Sequence, residues 1–296
     1  MPYYRDYTSL LAELFPGRKM QKLTINGGFS CPNRDGTIDR GGCAYCDNRS
    51  FSPALSSPGN VAAQLEAAKR FFARKYPQMR YLAYFQSYTS THGDPEKLLA
   101  LYREALAVEG VDGLIIGTRP DCVPQPLLQQ IARLNTTVLM EYGAESSHNS
   151  TLERVNRCHT WEQTVDAVRR SAALGLHVGL HFIMGLPGDT QEMMLETVRR
   201  ACDLPVSSLK FHQLQLIKGT PLATAPPDDL RLFSVEEYLD LCAEIVGIVN
   251  SRAPQIAIER FTSSAPPEML VAPRWGLKNY QFTNLLRNRL AAVRRS

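Results

Sequence analysis

Six short segments rich in β-branched, aromatic and aliphatic residues alternate with helical patterns along most of the 296-residue chain. Such runs are typical of parallel strands buried on both faces, and strand–helix units in series build a parallel sheet with right-handed crossovers. A complete eight-unit barrel does not fit this count, so the order predicts an α/β fold with a partial, TIM-like (βα)6 barrel. The segments are Lys22–Phe29, Tyr81–Gln86, Gly113–Thr118, Thr137–Ala144, His177–Gly185 and Ser208–Leu216, with Gln255–Thr262 as a candidate seventh strand.

Helical periodicity and capping signals lie between these strands. Three amphipathic segments are Val61–Tyr76, Pro95–Leu106 and Gln125–Leu134. Three capping-box patterns predict further helix starts: Thr160 with Gln163, Asp189 with Glu192, and Ser234 with Glu237. We therefore expect an N-terminal extension over residues 1–21, a core over 22–225 and a helical, basic C-terminal extension over 226–296.

The composition excludes several classes of protein. Apolar residues make up 44% of the chain and charged residues 21%, which is enough for a large core and argues against wholesale disorder. No apolar run approaches the roughly 18 residues of a membrane span, and the N-terminal segment lacks the pattern of a signal peptide. We therefore expect no membrane association and a cytoplasmic protein.

The C-terminal segment is unusually basic. From Arg260 onward it carries seven basic residues and one acidic residue, whereas the net charge of the whole chain is only +4. Trp275, Tyr280 and Phe282 are interleaved with these charges. This composition suits an anionic partner with bases that can stack, although a solubilising tail remains the alternative.

Three cysteines form a compact group, with eleven residues between Cys31 and Cys43 and two between Cys43 and Cys46. The group directly follows the first predicted strand, and parallel α/β barrels carry their chemistry in loops at such strand ends. A structural zinc site normally has four Cys or His ligands, and no fourth lies nearby in the sequence, but a catalytic zinc with three ligands and a water stays an alternative. Three cysteines on a 4Fe-4S cluster would leave one iron open to a small molecule.

The motifs around these cysteines resemble the radical S-adenosylmethionine (SAM) superfamily. The similarity is greatest to the bacterial YhcC/YtqA type, which is related to the radical SAM core of the Elongator catalytic subunit. It extends from about Lys22 to at least Leu222 and rests on GGFSCPNRDGT, GGCAYC, YFQSYTST, GTRPDCVP, EYGAES, NRCHT, GLPGDT and KGTPL. The cysteine spacing is longer than the commonest one of the superfamily and matches this subgroup.

The resemblance implies a 4Fe-4S cluster on Cys31, Cys43 and Cys46, and SAM bound at its fourth iron. Tyr45 is implied to lie beside the cluster and the adenine of SAM, and His181 and Leu216 lie on the strands beside that adenine. The methionyl amino group of SAM is implied to contact Gln86, Ser87 or Tyr88, and its carboxylate to contact Arg157. The ribose is implied to contact Glu145, with Glu141 as second choice. A core role for His181 is the alternative. Catalytic residues toward the substrate are not identified.

The resemblance also implies an activity. We expect a radical SAM enzyme that removes hydrogen from a substrate, with a flavodoxin- or ferredoxin-type protein as electron donor. The relationship to Elongator and the basic C-terminal segment favour a transfer RNA (tRNA) substrate at a wobble uridine. A peptide or small-metabolite substrate is the alternative, and a non-catalytic zinc-binding protein is a second one.

Overall fold

The structure is a computed structural model that describes residues 2–50, 60–73, 76–263 and 265–293. Its centre is a curled, partial barrel of seven parallel strands in the order β1-β2-β3-β4-β5-β6-β8, so that β1 and β8 form the two edges. The strands are β1 (Met20–Ile25), β2 (Arg80–Phe85), β3 (Val111–Thr118), β4 (Thr137–Glu145), β5 (His177–Met184), β6 (Ser208–Gln213), β7 (Leu216–Ile217), β8 (Ala257–Ile258) and β9 (Leu270–Ala272).

Helices pack on the outside of this sheet. They are α1 (Tyr7–Leu14), α2 (Pro32–Asp35), α3 (Val61–Ala73), α4 (Pro95–Leu106), α5 (Gln125–Ala132), α6 (Asn149–Arg154), α7 (Trp161–Ala173), α8 (Gln191–Cys202), α9 (Pro221–Thr224), α10 (Val235–Arg252) and α11 (Asn279–Val293). No helix within the described ranges is both long and apolar enough to cross a membrane.

The predicted α/β fold and partial barrel are confirmed, with two corrections to the strands. The candidate seventh strand forms, but only Ala257–Ile258 pairs with β6. The sixth predicted strand ends at Gln213, because Leu216 pairs antiparallel with Ala272 in a separate two-stranded sheet. The barrel core therefore continues into the C-terminal region beyond residue 225.

Two of the three capping boxes are confirmed. Thr160 and Ser234 each accept a hydrogen bond at the start of α7 and α10, and both reciprocal bonds are present. The prediction for Asp189 is wrong, because Thr190 caps α8 instead. The Asp189 carboxylate accepts a hydrogen bond from the Thr151 hydroxyl, which ties the β5–α8 loop to α6.

The N-terminal helix closes the amino-terminal end of the barrel. Tyr7 and Leu10 of α1 pack against the inward-facing side chains Leu82, Ile115 and Leu139. Since alternate residues of a strand face opposite sides, these side chains lie inside the barrel while their neighbours face the outer helices. The one end that remains accessible is the carboxyl-terminal end of the strands, where the cysteine loop lies.

Candidate active site

A cavity at the carboxyl-terminal ends of the strands brings most of the predicted site together. All three cysteines of the group line it. So do seven of the nine predicted SAM contacts, namely Tyr45, Gln86, Tyr88, Glu141, Glu145, Arg157 and His181. This convergence joins loops after β1, β2 and β4 with side chains of β4 and β5, which are far apart in sequence, as expected for a site built on a (βα) barrel.

The cysteine loop is held by backbone hydrogen bonds to distant segments. The Ala44 amide donates to the Val155 carbonyl, and the Ala44 carbonyl accepts from the Leu222 amide, each at 2.9 Å. The Cys46 amide donates to the Cys43 carbonyl at 3.0 Å, which turns both side chains toward the same region. The loop thus lies across the mouth of the barrel.

Two donors point at the buried thiol of Cys43. Asn33 Nδ2 and Arg157 Nη1 each lie 3.6 Å from Cys43 Sγ. Cys31 and Cys46 are half-buried, and none of the three forms a disulfide. In the described ranges no group of three Cys, His, Asp or Glu side chains is close enough to hold a single metal ion.

Glu145 and Arg157 form a buried pair beside the cysteines. Arg157 Nη2 lies 3.5 Å from Glu145 Oε1 and donates to the Gly143 carbonyl at 2.7 Å. Burial raises the pKa of Glu145 although three cations surround it. A Cβ atom on Gly143 would lie 2.6 Å from Glu145 Oε1 and 2.8 Å from Arg157 Nη2, so only glycine leaves room for this pair.

Several polar atoms around this pair have no partner. Tyr45 Oη faces the Glu145 carboxylate, but neither it nor Glu145 Oε2 completes a hydrogen bond of normal geometry within the described ranges. Arg157 Nε is also buried without an acceptor. Because an unpaired buried polar atom costs about 1–3 kcal/mol, a cluster of them indicates the place of a polar ligand.

Below these residues, a buried ion network forms the floor of the cavity. Lys22 Nζ and Lys210 Nζ lie 2.8 and 3.1 Å from the two oxygens of Glu141. Both lysines also contact Glu259, and the Tyr84 hydroxyl donates to Glu141 Oε2 at 2.6 Å. Two cations and two carboxylates balance, which satisfies charges that are costly to bury. Both oxygens of Glu141 are thus engaged, and its contact with the ribose of SAM stays a prediction.

Two other predicted contacts lie outside the cavity. Ser87 is buried but does not line it, and Tyr88 and Gln86 on either side do. Leu216 pairs with β9 and does not line the cavity, but it packs in one apolar cluster with Cys43, Tyr45 and Ile183, which do. Tyr88 has a left-handed backbone conformation, with φ of 55°. Its side chain therefore does not alternate with those of Gln86 and Ser87 as it would in a strand, and the sequence alone does not show this.

The sequence interpretation missed several residues of the cavity, namely Arg34, Asn48, Thr89, Lys210, His212 and Arg260. A usable signal existed for two of them. Lys210 and His212 alternate within a strand predicted to be buried, so both side chains share one face. Arg260 gave no such signal, because the segment after β8 reaches the cavity only through the tertiary fold.

Comparisons with known proteins agree with this geometry. Residues 31–201 match the radical SAM superfamily, and residues 206–292 match the radical SAM C-terminal domain. The chain belongs to the radical SAM superfamily. It is similar to the Escherichia coli protein YhcC, with 36% identity over 88% of this chain and 83% of that protein. It is also similar to Bacillus subtilis YtqA, with 32% identity over 93% of this chain and 85% of that protein.

Two further similarities are to a tRNA uridine(34) acetyltransferase and to a solved structure of Elp3. A Methanocaldococcus jannaschii tRNA uridine(34) acetyltransferase is 32% identical over 37% of this chain and 20% of that protein. The solved structure of an N-terminally truncated Elp3 from Methanocaldococcus infernus superposes with a TM-score of 0.70 at 16% identity, over 93% of this chain and 63% of that one. The structural likeness establishes the shared fold.

Proposed function

We propose that this radical SAM enzyme carries a 4Fe-4S cluster on Cys31, Cys43 and Cys46, binds SAM beside it, and acts on a wobble uridine of tRNA. When bound, the cluster and SAM supply a 5′-deoxyadenosyl radical through one-electron cleavage of the sulfonium, and this radical removes hydrogen from a substrate carbon. A flavodoxin- or ferredoxin-type protein supplies the electron.

The observation that carries the proposal is the set of unsatisfied polar atoms next to three free thiols in one cavity. Asn33 and Arg157 already direct N–H groups at Cys43 Sγ, a contact that suits a thiolate ligand. The free atoms of Arg157, Glu145 and Tyr45 offer donors and acceptors for the carboxylate, amino and hydroxyl groups of SAM. The protein itself therefore binds and orients the cofactors and excludes water.

The tRNA part of the proposal has separate support. The name of the M. jannaschii relative specifies tRNA uridine 34, and its similarity to this chain covers 112 residues. Arg274, Lys278 and Arg287 are exposed near the C-terminus, and Tyr280 is 61% exposed on the same segment. Exposed cations suit phosphates, and an exposed ring suits a stacked base.

Part of the basic segment is not available for RNA. Phe282 is fully buried, so its ring is not free for a base, which corrects the sequence interpretation, and the half-buried Trp275 stacks on it. Arg289 forms ion pairs with Glu236 and Asp240. Arg294 and Arg295 lie outside the described residues.

The cofactor part is tested by anaerobic reconstitution with iron and sulfide. We expect four irons per chain, visible absorption that dithionite bleaches, and release of 5′-deoxyadenosine from SAM. A colourless protein that binds a single zinc ion tightly would contradict the proposal.

The tRNA part is tested by binding of unfractionated tRNA over a salt series. Three contacts to single-stranded phosphates predict a log–log slope of about −2. Replacing Arg274, Lys278 and Arg287 by Gln should flatten the slope, whereas Arg252→Gln, which removes an exposed cation paired with Asp203, should not. Absence of binding at low salt, together with unchanged tRNA nucleosides in a deletion strain, would refute the tRNA substrate.

A further inference from the structure

Three polar side chains form a row on one side of the cavity, away from the cysteines in the strand order. His181 lies on β5, His212 on β6, and Arg260 directly after β8, and all three line the cavity. Because the strands are neighbours in the order β5-β6-β8, His212 occupies the middle of the row. Of these three residues, only His181 was implied as a contact of SAM.

The register of the strands places His212 above the ion network and His181 level with its Lys210. His181 pairs with Lys210 and Ile183 pairs with His212, so His212 lies one pleat closer to the cavity mouth than Lys210. The Phe211 amide donates to the Arg260 carbonyl at 2.9 Å, which holds Arg260 beside Phe211, the residue before His212. The row therefore forms a side wall that rises from the floor at His181 toward the mouth at His212.

All three side chains present polar atoms without a partner. His181 Nε2, His212 Nε2 and Arg260 Nε are buried and have no hydrogen-bond partner within the described ranges. The two imidazole rings lie with centroids 4.7 Å apart. Three adjacent unsatisfied atoms are costly unless a ligand pairs with them, so the wall indicates a binding subsite.

The hydrogen bond of His212 determines what its free nitrogen can do. His212 Nδ1 lies 2.8 Å from the Gln213 carbonyl oxygen, which can only accept, so Nδ1 carries the proton. Burial and the nearby Arg260 lower the pKa of His212 to about 3, so the ring is neutral. Its Nε2 is therefore an acceptor, and it requires an N–H or O–H donor from the ligand.

Arg260 supplies the complementary group. No carboxylate of the described residues forms an ion pair with it, in contrast to Lys210, which contacts Glu141 and Glu259. A guanidinium only donates, so it requires an acceptor such as a carbonyl oxygen. The wall thus offers a donor at Arg260 beside an acceptor at His212, and the His181 ring lies on the other side of His212.

We propose that Arg260, His212 and His181 form the substrate-recognition subsite, which binds the planar imide edge of a uracil base. The ring N–H donates to His212 Nε2, one flanking carbonyl accepts from Arg260, and the other carbonyl faces His181. Arg260 and His212 together match a carbonyl acceptor beside a ring N–H donor, and the N3 atom of cytosine carries no hydrogen to donate to His212. The inference rests on the proposed function, since it takes the tRNA uridine as substrate.

The test measures binding of the reconstituted, full-length protein to three anticodon stem-loop RNAs. They carry uridine, 3-methyluridine or cytidine at the wobble position and are otherwise identical. Loss of one hydrogen bond with an unpaired buried nitrogen left behind predicts that wild type binds the uridine RNA about tenfold more tightly than the other two. His212→Ala should bind all three equally.

Two further variants complete the experiment. His177→Ala, at the opposite end of β5 and outside the cavity, is the matched control and should keep the tenfold preference. Arg260→Gln should weaken binding of the uridine RNA by about tenfold, and it provides a second variant if His212→Ala does not fold. Iron content and thermal unfolding report whether each variant is intact.

The outcomes separate this inference from the proposed function. If wild type binds all three RNAs with equal affinity, the subsite is wrong while the tRNA proposal stands. If wild type binds none of them at low salt, the proposed substrate fails and the subsite fails with it. A tenfold preference that disappears only in the His212 and Arg260 variants supports the inference.

Discussion

Gly143 lies where the site tolerates no side chain, so Gly143→Ala should damage SAM binding without unfolding the protein. The added Cβ would meet Glu145 Oε1 at 2.6 Å and Arg157 Nη2 at 2.8 Å. Both atoms are the ends of flexible side chains that can move aside. We therefore expect the free energy of unfolding to fall by about 1 kcal/mol or less, at the low end for overpacking.

The effect on the ligand should be larger than the effect on the fold. Moving the Glu145–Arg157 pair removes at least one hydrogen bond to a charged group, worth about 1.5–3 kcal/mol, so the Kd for SAM should rise about 10- to 100-fold. Equilibrium binding of SAM to the reconstituted protein measures this change. Glu145→Ala should give a loss of similar size.

A glycine in α10 provides the control for this prediction. A Cβ on Gly247 meets no atom within 4 Å, and alanine is the better helix former. Gly247→Ala should therefore raise the free energy of unfolding by about 0.5–1 kcal/mol and leave SAM affinity unchanged. If Gly143→Ala keeps its cluster and binds SAM as tightly as wild type, the pair does not hold SAM and the reasoning fails.

Two other predictions concern the cysteines and pH. Cys43→Ala should abolish both iron incorporation and SAM cleavage, whereas Cys202→Ala in α8 should retain both; full iron content in the Cys43 variant would sink the ligand assignment. Burial raises the pKa of Asp189 from 3.8 to about 6, so the folded state binds the extra proton and the ionised carboxylate is destabilising above about pH 6. Asp189→Asn, which can still accept from Thr151, should raise the free energy of unfolding by about 1–3 kcal/mol at pH 7. This gain should vanish at a pH below the ordinary carboxyl pKa of 3.8. Denaturant unfolding that shows an equal gain at pH 7 and below pH 3.8 would contradict the assignment.

Much of the active site could be anticipated from local sequence. Cys31, Cys43 and Cys46 lie close together in the chain, so their convergence follows from one loop. Glu145 and Arg157 could be placed because family motifs mark the ends of their elements. Thr160 and Ser234 were assigned correctly because a cap depends on only four consecutive residues.

The predictions that failed involve competition between distant segments. Leu216 continues an apolar run, but its partner is β9, more than fifty residues further along the chain. Phe282 and Trp275 looked available to an RNA because they are interleaved with charges, yet they fill space beside Tyr238 of α10. Asp189 matches the spacing of a cap as well as Thr190 does, and its contact with Thr151 of α6 directs its side chain elsewhere.

The sequence by itself determined the alternation of strands and helices, the partial barrel and the three thiols, because periodicity and loop spacing are local properties. Only the tertiary structure decided how charges and polar atoms are distributed inside the barrel. Glu141 is neutralised by Lys22 of β1 and Lys210 of β6, while Glu145 Oε2 has no hydrogen bond of normal geometry to the described residues. Glu141 and Glu145 differ because the partners of a buried polar group are set by distances in the folded structure, and the order of residues along the chain does not give those distances.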